Sequence, residues 1–409
     1  NDVCFNGTAN VINNTTVVSG SIQNQWIWGD GSTNDTAFSP THVYTTVDTF
    51  TITYIAVTDS GCSDTLTKQI IVYDTASVDF TATDTCLGNS TVFNVSSSAP
   101  PGSTPFWDFG DGIQSSDTFP IHTYAAPGVY TVTSIIITPQ GCNDTLAQQV
   151  EVFPKPLPDF VADSTCDGDS LTFTNLSSIA SGTYTNMWDL GDGNTSTDIS
   201  PTHLYAAYGN YTVKLVLTSD KNCLDSITKV ATVNPNPTAA FTINDVCNDS
   251  TLAASNTSSV PSGTLSYNWN WGDGDTSSIV PASHNYSSSG TYTVSVTVTT
   301  NKGCVDTASQ TATVILGSVM DFSIPEVCET APSIFTDLSV LKTGTTVASY
   351  AWDFGDGNTA ATQNTSHTYA TYGNYNVKLV LDYGNSCFDS ITKVATVNPN
   401  PTAAFTIND

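Results

Sequence analysis

The sequence predicts an all-β chain, a tandem array of five β-sandwich domains strung into an elongated rod. Three observations predict it. A six-residue motif recurs as "WIWGDG" at Trp26, "WDFGDG" at Trp107, "WDLGDG" at Trp188, "WNWGDG" at Trp269 and "WDFGDG" at Trp352, at intervals of 81, 81, 81 and 83 residues; a fixed period marks a tandem array. Short alternating runs such as "TFTITYIAV", "VYTVTSIII" and "NYTVKLVL" sit between Gly, Pro, Asn and Asp clusters, the pattern of half-buried antiparallel strands. Helical periodicity is nowhere sustained.

Each repeat presents the same elements in order, and about seven short strands in about 80 residues describe an Ig-like sandwich. Proline-bordered junctions, "FPKPLPDF" at 153 to 160 and "NPNPTAAF" at 234 to 241, hold neighbours at a semi-rigid spacing. A first strand and a cysteine follow. In the Trp strand, alternation is read as sending Trp and Phe to opposite faces, so that Trp107, Trp188, Trp269 and Trp352, with Trp26, mark the core. The Gly-Asp-Gly that follows makes a tight turn needing positive φ. Next comes a His two residues before a Tyr (His42/Tyr44, His122/Tyr124, His203/Tyr205, His284/Tyr286, His367/Tyr369), which accounts for all five histidines. These imidazoles are read as structural, donating to backbone near a sandwich corner. An aromatic strand, a second cysteine followed by an acid and a hydroxyl, and a last strand complete the repeat. The predicted boundaries are 1–75 (first strand missing), 76–155, 156–235, 236–316 and 317–398, with 399–409 the first strand of a following domain. "ATVNPNPTAAFTIND" occurs at 231 to 245 and again at 395 to 409, so a two-repeat unit was duplicated and the chain reads as a window from a longer array.

Composition narrows the function classes. Nine Lys, no Arg and 37 acids give a net charge of −28, which disfavours nucleic acid, whose phosphates are met by clustered Lys and Arg. Anionic lipid surfaces are disfavoured on the same ground. No apolar run approaches the roughly 20 residues of a membrane helix, and no membrane insertion is expected.

The ordered set "WDFGDG", "P.H.Y", "G.YTV.L" and a closing "V.V" strand closely resembles the PKD (polycystic kidney disease) domain over essentially the whole chain. The variant with "C.G" after the first strand and "GC.DT" before the last is similar to PKD repeats of giant secreted surface proteins and adhesins of gliding bacteria. That resemblance implies export and a sorting domain outside this window. Domain 1 departs from the pattern, with Ile27 and Trp28 for the Asp and Phe and "DTF" at 48 to 50 for "G.Y".

Site chemistry is sparse. The pairs Asp108/Asp111, Asp189/Asp192 and Asp353/Asp356 are weak Ca²⁺ candidates, since that ion takes about 6–8 oxygens and the first acid is Ile27 in domain 1 and Asn270 in domain 4. No cofactor and no catalytic set is expected. Exposed Tyr184, Tyr208 or Tyr372 are candidates for stacking on surface glycans, against ordinary packing or turn roles. Ten cysteines, two per repeat, imply disulfides in an oxidising location. One scheme closes each repeat on itself: Cys4–Cys62, Cys86–Cys142, Cys166–Cys223, Cys247–Cys304 and Cys328–Cys387. The other joins neighbours as Cys4–Cys142, Cys86–Cys223, Cys166–Cys304 and Cys247–Cys387, leaving Cys62 and Cys328 for partners elsewhere. Both stay open from the sequence. The triplet at Asp64, Asp144, Asp225 and Asp389 resembles a bacterial O-glycosylation signal and marks Thr65, Thr145, Ser226 and Ser390 as acceptors; otherwise these residues merely begin the last strand. N-x-S/T sequons occur at Asn6, Asn14 and Asn210.

The expected function is a non-catalytic structural or adhesive stretch of an extracellular surface fibre, with neighbouring domains, lateral copies and surface glycans as partners. The competing expectation is an accessory region of a secreted depolymerase or protease. For assembly, a covalent tandem chain and a polymer joined by strand donation are the two alternatives.

Overall fold

The computed structural model describes residues 1–406. Among them every regular element is a β-strand. The chain divides into two compact units, one of Asn1–Val161, Thr174–Pro201 and Val213–Lys229, the other of Ala162–Phe173, Thr202–Thr212 and the residues from Val230 on.

Domain 2, in the first unit, shows the plan. One sheet runs in the order Gln114–Ser115, Thr104–Asp108, Gly128–Ile137, Asp144–Phe153, Thr85–Cys86. Its last pairing is parallel, with Cys86 opposite Phe153, and so ties the start of the domain to the end of its final strand. The second sheet is Ile121–His122, Thr91–Val95, Phe80–Ala82. In Gly128–Ile137 the alternation of the sequence sends Val132, Ser134 and Ile136 inward, where β-branched side chains pack well on a pleated surface. Phe80, Phe93, Trp107, Phe109 and Tyr124 join them in one core. Each such ring contributes about 1.5–3 kcal/mol when fully buried.

Domain 1 repeats the larger sheet as Val3–Cys4, Ser63–Tyr73, Thr49–Thr58, Ile22–Ile27, but its smaller sheet has two strands, Thr8–Asn10 and Thr41–Val43. From domain 3 this unit contains Tyr184–Asp189, paired with residues 214–219 and with Thr195–Ser196.

In the second unit, domain 4 has the order Val246–Cys247, Val305–Ile315, Gly290–Thr300, Leu265–Asn270, Thr276–Ser277, with Phe241–Thr242, Leu252–Asn256 and Ala282–His284 as the smaller sheet. Domain 5 follows the same order and adds a pair, Ser318–Val319 with Val340–Leu341. From domain 3 this unit holds Thr165–Cys166, parallel to Val233 and Asn234, and Leu171 and Thr172 against His203 and Thr202.

One expectation is corrected. Trp107 and Phe109 do not point to opposite faces: both are buried, at 1% and 2% exposure, and their rings stack 6.5 Å apart. Residues two apart share a face of a strand, and Asp108 between them points away. Residues 399–406, expected to begin a following domain, are exposed and lie in no strand. The rest of that expectation, 407–409, lies outside the described residues.

Candidate functional site

The recurring motif builds a small polar device at the end of each Trp strand. In domain 2 the Trp107 indole donates to the Asp117 carbonyl at 3.1 Å. Asp108 Oδ1 accepts the Gly110 N–H at 2.9 Å and Asp111 Oδ1 the Ile113 N–H at 3.0 Å. Gly110 and Gly112 take φ of 81° and 90°, which a Cβ disfavours. The other oxygen of Asp111 holds His122 Nε2 at 2.7 Å. The imidazole lies flat on Phe109, centroids 4.3 Å apart, and edge-on to Tyr124. Tyr124 in turn donates to the Phe109 carbonyl at 3.1 Å.

Asp30–His42, Asp273–His284 and Asp356–His367 repeat this bond at 2.7, 2.7 and 2.6 Å. Tyr44, Tyr286 and Tyr369 donate to the carbonyls of Trp28, Trp271 and Phe354. In domain 3, Asp189 caps Gly191, Asp192 caps Asn194, and His203 lies edge-on to Tyr205. In domains 1, 2, 4 and 5 the histidine Nε2 therefore meets the Gly-Asp-Gly aspartate, a side-chain partner where donation to backbone was expected. The partnership was missed in the sequence, although the interval from Asp to His is 11 residues in domains 2 to 5 and 12 in domain 1.

Electrostatics follow the geometry. Burial pushes the Asp30 carboxyl up, but hydrogen bonds from Ser32 and His42 outweigh it and hold the group at about 2. Asp111, Asp273 and Asp356 are held below the ordinary carboxylate range by the same opposition. Burial first, then the nearby aspartate, pushes Tyr44 and Tyr124 up to about 12. Tyr286 and Tyr369 are raised by the same causes.

The carboxylates read as Ca²⁺ candidates are engaged in these turns. Asn270 caps Gly272 at 2.9 Å as Asp108 caps Gly110, so this position needs an acceptor oxygen and not a charge. Among the described residues, one group of three could hold a metal: Asp273, Asp275 and His284, with donor atoms within 4.8 Å of one another. Two carboxylates and an imidazole suit a zinc-type cation better than Ca²⁺.

The cysteines are placed by the strand ends. Cys4 pairs in register with Tyr73 at the close of the last long strand of domain 1, while Cys142 sits in the hairpin between Gly128–Ile137 and Asp144–Phe153. Ala76, at the junction, donates its N–H to the Cys142 carbonyl at 3.2 Å. The bridges are Cys4–Cys142, Cys86–Cys223, Cys166–Cys304 and Cys247–Cys387, each with Cα atoms 5.6 Å apart. Each joins one domain to the next and lies within one unit. Cys62 and Cys328 are free and exposed. Where domain 4 meets domain 5, the Ser289 N–H donates to the Thr343 carbonyl at 2.8 Å, Asn248 Nδ2 to the Phe388 carbonyl at 3.0 Å, and Lys342 pairs with Asp249.

The remaining candidates lie on the surface. Tyr208 and Tyr372 are exposed, whereas Tyr184 is half-buried and donates to the Ser177 carbonyl. Thr65, Thr145, Ser226 and Ser390 are exposed, and each N–H is capped by the preceding aspartate. Thr307 after Asp306 has the same cap and was missed, although Ala308 completes the same triplet.

The profile of the PKD domain matches residues 76–153, 154–235, 232–315 and 321–398. Pre-pro-metalloprotease PrtV of Vibrio cholerae serotype O1 is 29% identical over 124 residues, 30% of this chain and 14% of its own length. This chain thus spans about a seventh of that relative. The PKD1 domain of Vibrio anguillarum Epp is 36% identical, covering 20% of this chain and 99% of that domain with a TM-score of 0.19. The PKD1 domain of the V. cholerae metalloprotease PrtV is 37% identical, covering 20% and 98% with a TM-score of 0.18. By the extent of the profile match over four consecutive repeats, the chain belongs to the PKD domain family.

Proposed function

We propose that the chain is a non-catalytic, load-bearing stretch of an extracellular surface fibre, spacing and mechanically stabilising a distal binding or anchoring part. The supporting observation is that all four bridges cross from one domain to the next. Such bridges need an oxidising compartment to persist, which fits a secreted or cell-surface location. Under tension the chain between Cys4 and Cys142 cannot lengthen while the bond holds, so load crosses to Cys142 through sulfur, runs along the backbone from 142 to 166 with its strand Asp144–Phe153, and crosses again to Cys304. A second reading, an accessory region of a secreted protease, is favoured by the likeness to the PKD1 domain of a metalloprotease.

Single-molecule pulling tests the first reading. Pulled between residues 4 and 304, the oxidised chain should release almost no length, since only the 24 residues from 142 to 166 lie between the two bridges in series, and reductant should restore domain-by-domain unfolding. Stepwise unfolding of single domains in the oxidised chain would overturn it.

A further inference from the structure

Beside the motif tryptophan of each domain lies a corner between the two sheets, and in domains 1, 3, 4 and 5 a tyrosine closes it. In domain 1 it is Tyr54, the residue opposite Trp26, whose hydroxyl meets Asn24 Oδ1 at 2.7 Å and Asn13 Nδ2 at 2.9 Å. In domain 3 it is Tyr184, on the strand of Trp188, whose hydroxyl donates to the Ser177 carbonyl at 2.9 Å. In domains 4 and 5 it is Tyr267 and Tyr350, two residues before Trp269 and Trp352 and packed against the core. Residues two or four apart share a face of a strand, so Tyr184, Tyr267 and Tyr350 reach the side on which the indole is buried.

Domain 2 has no tyrosine at these positions. Ser134 stands opposite Trp107 as Tyr54 stands opposite Trp26. Ser103 and Pro105, four and two residues before Trp107, replace Tyr184 and the pair Tyr267 and Tyr350. Val95, opposite Phe80, takes the place that Asp337 has opposite Phe322 in domain 5. The corner is left open as a pocket of about 200 Å³ beside Trp107 and Ser134, walled by Val95, Pro105, Ile136 and Phe119. Trp107, Ser134 and Ile136 are buried, while Phe119 is 72% exposed.

The surroundings of the pocket are held in place. The Trp107 indole fixes the Asp117 carbonyl at 3.1 Å, next to Thr118 and Phe119, and the Ser103 hydroxyl donates to the Pro100 carbonyl at 2.7 Å. The Ser97 hydroxyl donates to the Asp79 carbonyl at 2.9 Å, as Ser177 does to Asp159 at 3.1 Å in domain 3. Ser97 is therefore the counterpart of Ser177, and its carbonyl the counterpart of the acceptor that Tyr184 uses.

We propose that this pocket of domain 2 binds a neutral phenol ring, either a free alkylphenol or a tyrosyl side chain of a partner, with the hydroxyl donating to the Ser97 carbonyl. The ligand supplies the ring that the other four domains build in. The size fits, since an apolar cavity of about 150 Å³ takes up benzene. Among the described residues no charged side chain lines the pocket, so a carboxylate would be desolvated there without a partner, which is costly. The inference concerns domain 2 and does not rest on the surface-fibre reading.

Calorimetry and saturation-transfer NMR on the oxidised 409-residue chain test it, with p-cresol as the probe. One p-cresol should bind per chain, and 4-methylbenzoate, the same ring with a charge, at least tenfold more weakly. Ser103→Tyr gives domain 2 the residue of domain 3 and should weaken p-cresol at least tenfold with circular dichroism unchanged. Pro105→Tyr, the arrangement of domains 4 and 5, should do the same by a second route. N-acetyltyrosinamide that competes with p-cresol identifies tyrosyl side chains as the source of the ring, and binding of p-cresol alone identifies free phenols. Failure of both rings to bind, p-cresol binding that survives both substitutions, or 4-methylbenzoate binding as tightly as p-cresol would each overturn the proposal.

Discussion

Asn270 does at the Gly272 N–H what Asp108, Asp189 and Asp353 do at their glycines, and that equivalence separates two acids that look alike in the sequence. Asp108→Asn should change stability by less than about 0.5 kcal/mol, since one acceptor replaces another. Asp111→Asn loses the carboxylate that holds His122 and should cost about 1 kcal/mol, a charged hydrogen bond discounted for partial exposure. Urea titration of the two variants measures the contrast. The aspartates also set an acid limb. Their native pKa values lie below the unfolded ones, so the unfolded chain binds more protons in between and stability falls as pH drops. The contribution of Asp30 should be whole above about pH 4 and lost as pH falls through about 2, with Asp111→Asn removing its own domain's share.

Much of this was legible in residue spacing. The five motif tryptophans and the five histidines announce the repeat and the buried corner, but the histidines were assigned to backbone because adjacency to Tyr drew attention away from the interval of 11 or 12 residues to Asp. The metal-capable group in domain 4 depends on Asp275, where domains 3 and 5 have Asn194 and Asn358. One added oxygen in one repeat carries no signal against a background of 37 acids.

At the level of the hairpin, the two glycines of each Gly-Asp-Gly turn are not equivalent. A Cβ on Gly110 would stand 2.6 Å from the Thr131 carbonyl oxygen, and one on Gly112 meets nothing within 4 Å. Both have positive φ, which alone costs a side chain about 1–2 kcal/mol. Gly112→Ala should lose about that much, and Gly110→Ala distinctly more because the strand must move. Denaturant midpoints of the two variants decide this; equal losses would mean that the close approach is relieved without cost. The strands themselves were readable from alternation, including the long hairpins. The error at Trp107 and Phe109 came from counting them as neighbours when Asp108 separates them. The cysteine pairing could not be read at this level. Both schemes keep regular spacings, and only the placement of Cys4 at a strand's far end and Cys142 in a hairpin distinguishes them.

Over the whole molecule the four bridges overlap: 4 to 142, 86 to 223, 166 to 304 and 247 to 387. Each should contribute about 2–4 kcal/mol by restricting the unfolded chain, so melting in reductant should occur at lower temperature. Overlap has another consequence, for wear. A protease that nicks the backbone once at any exposed loop between Cys4 and Cys387 cuts a chain that at least one sulfur bond still spans. Limited digestion should leave the species at full length on a non-reducing gel and break it into fragments only when thiol is added. Release of fragments from the oxidised chain after a single such cut would contradict the bridging pattern. Peptide continuity is thus dispensable at any one loop between Cys4 and Cys387: a molecule cut once there still holds as one thread, and what parts it is a change of redox conditions or further cuts rather than that single cleavage.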